Sequence, residues 1–344
     1  MSETLTIVFP EAPAPGVLQE VAPDLFWLRM PLPFVLNHIN LWLLRDGKGW
    51  VIVDTGFGLP DIQAIWENVL AGLDGPITGI VVTHFHPDHL GLASWLQEKS
   101  GAPLYMTAAE FLTGQAVWHE IGGHGTAPML AQFRAHGLDE GRCKDLERRG
   151  NGYRKGVPAM PTTYHRLRDG DSLHIGGKRW QVAVGHGHSP EHMALYCEDS
   201  NVLISGDMLL PKISTNISVF AVTPQANALG DYLDSLQRYA RMFASDALVL
   251  PSHGHPFRGI APRVADLHAH HAERLAVLEE CCSAPKSAAD LLDALFQRPL
   301  DTHQTMFAMG EAIAHLNYLE QAGRLACRRD ADGVHRYVRK QTTN

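Results

Sequence analysis

Short apolar runs separated by turn residues organise the first hundred positions of the chain. Runs over 25–30, 39–44 and 50–54 read as β-strands, with Asp46-Gly47 turning the chain between the last two. Residues 60–73 read as a helix, 80–83 as a strand, 90–99 as a helix and 103–106 as a strand. A second strand-rich half follows from 164 to 253. Its strands fall at 172–175, 179–184, 193–197, 202–205 and 248–250, with a helix near 231–243. Two such halves predict an α/β (α+β) chain built as an αββα sandwich. Two sheets face each other, helices cover the outside, and loops of both halves meet at one edge.

Two stretches lie outside this pattern. Residues 107–161 hold helical segments at 108–119, 127–136 and 140–149, with glycine-rich joints at Gly122-Gly123 and 150–152. The stretch is too long for a plain connection. It reads as a helical insertion capping the mouth of a site. The chain after 262 reads as a separate unit. Helices are expected over 263–281, 287–296 and 306–321, the last with apolar spacing at Met306, Met309, Ile313, Leu316 and Leu319 and a stop at Gly323. A hairpin over 325–329 and 334–338 follows. Three helices and a hairpin resemble a winged-helix domain. The expected domains are therefore 1–262 and 263–344.

Charge narrows the partners. The chain has 344 residues, 45% of them hydrophobic, and a formal charge of −8, which argues against gripping nucleic acid as the main task. From 261 onward, ten Lys and Arg stand against eleven Asp and Glu. Arg324, Arg328, Arg329, Arg336, Arg339 and Lys340 cluster at the hairpin, while the third helix has no basic residue where a DNA reader would carry them. A small-molecule substrate is expected, duplex DNA is not, RNA is open but disfavoured, and a homodimer is open. The terminal unit is read as structural or substrate-shaping. No long apolar run suggests a membrane span. Met1-Ser2-Glu3-Thr4-Leu5 does not read as a signal peptide. Five cysteines without C-x-x-C spacing fit reduced thiols, so a cytoplasmic protein is expected.

The densest chemistry lies in Thr83-His84-Phe85-His86-Pro87-Asp88-His89-Leu90, just after Gly79-Ile80-Val81-Val82. His84 and His86 alternate by two and can face one way as the strand ends. Pro87 breaks the strand, and Asp88 and His89 open the next helix. Two diverging pairs of imidazole and carboxylate donors suit two metal ions better than one.

This H-x-H-x-D-H loop resembles the signature of the metallo-β-lactamase-fold hydrolases, and further motifs follow in that family's order over about 20–260. Gly185-His186-Gly187-His188-Ser189-Pro190-Glu191-His192 matches the third, with His188 as the implied ligand. Val202-Leu203-Ile204-Ser205-Gly206-Asp207 supplies the bridging Asp207. Leu248-Val249-Leu250-Pro251-Ser252-His253 supplies His253, and Val51-Ile52-Val53-Asp54-Thr55-Gly56 supplies Asp54, which supports the loop from behind. The resemblance implies that His84, His86 and His188 hold one ion and Asp88, His89 and His253 a second, with Asp207 bridging. Zn²⁺ suits this set best, with Fe or Mn as alternatives. His186, His192 and His255 are read as supporting or rim residues. With the terminal unit, the chain resembles a branch holding both hydroxyacylglutathione-hydrolase-like thioesterases and endoribonucleases. A Glu replaces the second histidine in the flavodiiron relatives; His86 stands here, so redox chemistry is disfavoured. The resemblance implies hydrolysis by a metal-bridging hydroxide, with Asp88 and Asp207 as the catalytic carboxylates. The expected substrate is a small or medium ester or thioester. Phosphodiester or RNA cleavage, and lactone or β-lactam hydrolysis, are the alternatives. Lys212, Ser214 and Asn216, close after Asp207, are candidate substrate contacts.

Overall fold

The computed structural model describes residues 4–340, so the reading of Met1-Ser2-Glu3-Thr4-Leu5 lies largely outside the described residues. In chain order the sandwich strands are β1 (Thr6–Ile7), β2 (Leu18–Ala22), β3 (Leu25–Pro31), β4 (His38–Asp46), β5 (Gly49–Val53), β6 (Ile77–Val81), β7 (Leu104–Thr107), β8 (His165–Leu167), β9 (Ser172–Ile175), β10 (Lys178–Gly185), β11 (His192–Cys197), β12 (Val202–Gly206), β13 (Leu248–Pro251) and β14 (Phe257–Arg258). One seven-stranded sheet has the order β2-β3-β4-β5-β6-β7-β8, the other β1-β14-β13-β12-β11-β10-β9. In the first, β2 to β5 pair antiparallel and β5 to β8 parallel. In the second, β9 to β12 form an antiparallel run and β12 pairs β13 in parallel.

Parallel neighbours need crossovers, which the helices supply: α1 (Pro60–Gly72) follows β5, and α2 (Pro87–Leu90) and α3 (Ala93–Ser100) follow β6. Strands β5, β11, β12 and β13 are buried at every position. One face meets the opposite sheet and the other lies under helices. Trp27, Trp42, Val51 and Val53 share a cluster with Trp180, Val182, Leu195, Ile204 and Leu250. Outside, Trp66 of α1 donates its indole N–H to the Thr55 carbonyl at 2.8 Å, and Tyr239 of the helix Ala228–Met242 donates to Ala183 O at 3.0 Å. This is the αββα sandwich.

Three local readings need correction. The single helix expected over 90–99 is broken: the Leu92 amide bonds Thr55 Oγ1 at 3.1 Å instead of continuing a helix from α2. A Cβ on Gly91 would also lie within 2.5 Å of three carbonyl oxygens, so the break requires glycine there. The helix expected over 287–296 is a 3₁₀ turn, Ala289–Leu291, followed by the short helix Leu292–Leu295. Ser287 and Asp290 cap each other there, at 2.8 and 3.2 Å. Strand β2 was not expected. It lies at a sheet edge with one buried residue, so it has no apolar run to read.

The chain forms two compact units. The first holds residues up to Trp118, Gly152–Thr215 and Leu236–Val264; the second holds His119–Asn151, Asn216–Ser235 and the chain from Ala265. In the second, the longest helix wholly within it is Thr302–Gln321, opened by a capping box between Asp301 and Gln304. It ends where Gly323, at φ +73°, lets the Arg324 amide reach Leu319 O at 2.9 Å. The hairpin Leu325–Arg329 and His335–Arg339 follows, and Lys286 pairs with Tyr337 beside it.

His271 and His315 are buried in this unit with Nδ1 and Nε2 3.1 Å apart. Burial, then His315, His270, Arg274 and His268, holds His271 down to about 3. Burial holds His315 to about 4 against the help of the Glu311 carbonyl, with Arg274 and His270 adding to the depression. Both folded values lie below the unfolded value, so the unfolded chain takes up protons first. The stability contribution is therefore complete above about pH 6.5 and lost as pH falls towards 4, at about 1.4 kcal/mol per pH unit for each histidine. Chemical denaturation at pH 7.5, 6 and 5 should show this decline, and His315→Gln should flatten it. An unchanged pH dependence in that variant would clear the pair of this role.

Candidate metal centre

Each candidate donor sits just past the end of a strand. β6 stops at Val81 and α2 begins at Pro87, whose missing N–H suits the first helical position. The turn between carries His84 and His86, and α2 carries Asp88 and His89. His188 follows β10, Asp207 follows β12, and His253 follows β13. His84 Nε2 lies 2.9 Å from His86 Nδ1 and 3.1 Å from His188 Nε2. Two nitrogens on one tetrahedral Zn²⁺ stand about 3.3 Å apart, so this trio has the spacing of a shared ion. His253 Nε2 lies 3.4 Å from Asp88 Oδ2 and 3.5 Å from Asp207 Oδ1; His89 Nε2 lies 3.6 Å from both carboxylates. The other Asp207 oxygen, Oδ2, is 3.5 Å from His188 Nε2. Asp207 thus faces both groups, and three overlapping clusters have metal-ligand spacing: His84, His86, His188; His84, His89, Asp207; and Asp88, His89, His253.

Three of these imidazoles have the far ring nitrogen tied. His89 Nδ1 is 2.7 Å from Asp54 Oδ2, His253 Nδ1 is 2.8 Å from the His38 carbonyl, and His84 Nδ1 is 3.1 Å from Thr83 Oγ1. A hydrogen on each Nδ1 leaves the Nε2 lone pair pointing inward. Asp54 also accepts from Thr83 N–H at 2.8 Å and from the Thr83 hydroxyl, holding both sides of the first loop. It sits at φ +62°, a left-handed conformation that Asp tolerates better than most residues.

The electrostatics divide the cluster. Burial, then the neighbouring imidazoles of His89, His86, His192 and His188, holds His84 well below the usual histidine range. Burial, then His188, holds His86 at about 3. This side is neutral, with lone pairs to offer. On the other side burial opposes charge, yet Asp207 and Asp88 raise His253 to about 10, and Asp54, Asp88 and Asp207 raise His89 well above normal. Burial would raise Asp88, but His89 and His253 pull it down to about 2. Those protons occupy a place suited to positive charge, and cations bound there would displace them. His89 Nε2 and Asp207 Oδ1 are buried with no hydrogen-bond partner. An unsatisfied nitrogen facing an unsatisfied carboxylate oxygen is costly unless a cation lies between them. The donor set therefore fits divalent metal.

Over residues 35–255 the chain matches the metallo-beta-lactamase superfamily. The chain belongs to that superfamily. Residues 275–340 match the C-terminal domain of metallo-beta-lactamase-like proteins. A beta-lactamase domain protein from Burkholderia ambifaria has 47% identity and a TM-score of 0.91, with 98% of each chain covered. A metallo-beta-lactamase family protein from Thermus thermophilus has 32% identity and a TM-score of 0.78, covering 93% of this chain and 100% of its own. The probable metallo-hydrolase YqjP of Bacillus subtilis (strain 168) is 22% identical over 86% of this chain and 92% of its own length.

Other histidines near the superfamily motifs point elsewhere. His186 turns to Pro190 O at 2.7 Å and His255 to Phe9 O at 2.9 Å. His192 is fully buried, and its Nε2 accepts from the Asp207 amide at 3.0 Å. A Cβ on Gly206, at φ +55°, would lie 2.4 Å from the His192 ring. Asn216 belongs to the second unit, where Glu311 accepts from it at 3.2 Å and Ser218 donates to it at 2.7 Å. Lys212 is exposed and Ser214 half-buried.

Several residues that position the site have no superfamily motif in the sequence. The Gly254 amide donates to His38 Nε2 at 2.8 Å, while Arg29 and Asn40 donate to the Gly254 carbonyl at 2.9 and 3.1 Å, securing the His253 loop. Burial, with Arg29 and the two nearby histidines, keeps His38 at about 3, neutral and able to accept. Glu110 and Tyr153 hold the first loop. A glutamate in the first turn of a helix reads from sequence as a response to the helix dipole, so nothing marked Glu110.

Proposed function

We propose that this chain is a dinuclear metal-dependent hydrolase acting on a small or medium ester or thioester. The observation that carries the reading is the convergence of seven donors, with His89 Nε2 and Asp207 Oδ1 buried and otherwise unsatisfied. His84, His86 and His188 would hold one ion and Asp88, His89 and His253 the other, with Asp207 shared; imidazole and carboxylate donors suit zinc. Two divalent ions supply water acidified towards neutrality and a Lewis acid for the acyl oxygen. Asp88 directs one oxygen at His89 and His253, and the other would orient the attacking water. Asp54, His38 and Thr83 hold the ring orientations throughout.

The hairpin arginines support an acyl rather than a nucleic-acid substrate. Arg336 pairs with Asp290, Asp330 and Asp332, Arg324 and Arg339 pair with Glu279, and Arg329 donates to His335. The charge of Arg324, Arg336 and Arg339 is already answered by carboxylates, which lowers what they can offer to phosphates. We assign the winged-helix-like terminal unit to substrate shaping. Among the described residues no helix is long and apolar enough to cross a membrane. The five cysteines are free thiols, which supports a reducing compartment such as the cytoplasm.

Protein purified without chelator should contain two divalent ions per chain by elemental analysis; one or none would refute the dinuclear reading. Metal-stripped protein reloaded with Zn²⁺, Mn²⁺ or Fe²⁺ should hydrolyse thioesters or esters faster than lactones, phosphodiesters or RNA. Preferential cleavage of RNA would replace the acyl assignment.

A further inference from the structure

Glu110 is fully buried, although its side chain is none of the candidate donors. It stands in the first turn of the helix Ala108–His119, directly after β7. Its Oε2 accepts from the Phe85 amide at 2.9 Å. Its Oε1 accepts from the Ser189 hydroxyl and the Glu191 amide, both at 2.7 Å. Phe85 lies between His84 and His86, and Ser189 follows His188. One carboxylate is therefore bonded beside all three imidazoles of the neutral trio, across two loops far apart in sequence.

Further bonds reinforce this junction. Tyr153 donates its hydroxyl to the Phe85 carbonyl at 2.5 Å, so the residue between His84 and His86 is held through both its N–H and its C=O. Glu191 answers Glu110: its Oε2 accepts from the Ala109 amide at 3.2 Å, and its carbonyl accepts from Thr107 Oγ1 at 3.0 Å. Burying a carboxylate is unfavourable, and burial pushes Glu110 up to about 7 despite its three donors. An apolar side chain would fill the space without that cost, but it would accept no hydrogen bond from either loop.

We infer that Glu110 is a positioning residue for the His84, His86 and His188 trio, setting the separation of the two loops that carry them. The inference rests on the metal-centre reading above. It assigns Glu110 to one ion of the two: the loop ends that carry Asp88, His89 and His253 are held by Asp54 and His38 instead.

Glu110→Gln is the discriminating variant. Its amide has one acceptor oxygen, so whichever way it turns, its NH₂ meets an N–H donor of one loop. Competition with a chromophoric chelator should show one ion held as tightly as in the parent and the other about 10–100-fold more weakly. Cobalt-substituted protein should lose or shift the visible absorption of that one site. Excess metal should restore kcat. In metal-free protein, hydrogen exchange at the Phe85 and Glu191 amides should quicken. Ser189→Ala, which removes one donor only, should move the same readouts less. Two ions at parental affinity in Glu110→Gln would overturn the inference, as would parallel loss of both ions with a fall in Tm, the mark of a merely structural role. A parent protein that binds no ion would instead refute the metal-centre reading itself.

Discussion

Asp207→Ala should lower kcat by roughly 10³-fold or more while the sandwich stays folded. Asp207 faces His89 and His253 with one oxygen and His188 with the other, so its loss removes the one carboxylate common to both groups. The backbone around it has its own anchors. His192 holds the Asp207 amide, and Thr215 Oγ1 donates to the Asp207 carbonyl at 2.5 Å. Neither bond uses the side chain. Circular dichroism spectra of the folded metal-free proteins should therefore coincide, with Tm lowered only by the lost pairing of Asp207 with His89 and His253. Turnover and bound metal should fall together, and near-normal turnover would remove Asp207 from the site.

Asp54→Ala should behave in the opposite way and strike the fold. Its carboxylate accepts from His89, the Thr83 amide and the Thr83 hydroxyl, all buried. Removing it leaves a buried imidazole and two buried donors unmatched, at a cost of about 3–5 kcal/mol. Alanine at φ +62° adds strain of about 1 kcal/mol. Asp54→Asn keeps a residue that tolerates this conformation and should recover part of the loss. Urea denaturation reads the difference directly. A shift equivalent to less than 1 kcal/mol for Asp54→Ala would mean that Asp54 does not hold the loop.

The sandwich was legible wherever burial made long apolar runs. The central strands around Trp42, Ile52 and Leu195 read correctly because nearly every position faces either the other sheet or a helix, while the strand expected over 80–83 runs earlier, Ile77–Val81. The edge strand β2 did not, because exposure removes the signal. The break at Gly91 was hidden for another reason: it depends on the Thr55 hydroxyl and on carbonyls from Gly56 and Gly156, which only the fold brings there. The candidate donors could be picked out because their order and spacing in the sequence resemble a known pattern. Their supports could not, since Glu110, His38 and Asn40 act through hydrogen bonds to loops distant in sequence. Asn216 shows the converse limit. Nearness to Asp207 in sequence suggested a substrate contact, but its side chain answers Glu311 and Ser218.

The donors reach the centre from four separate strand ends, β6, β10, β12 and β13. An unfolded chain offers no such cradle, so ions that bind here bind the native state. By mass action, free metal at a hundred times its Kd would then add about 2.7 kcal/mol to stability for each site. On the metal-centre reading, ion supply would control how much of this protein survives as well as how fast it works. A cell short of the metal would then lose the catalyst twice, first as activity and then as abundance.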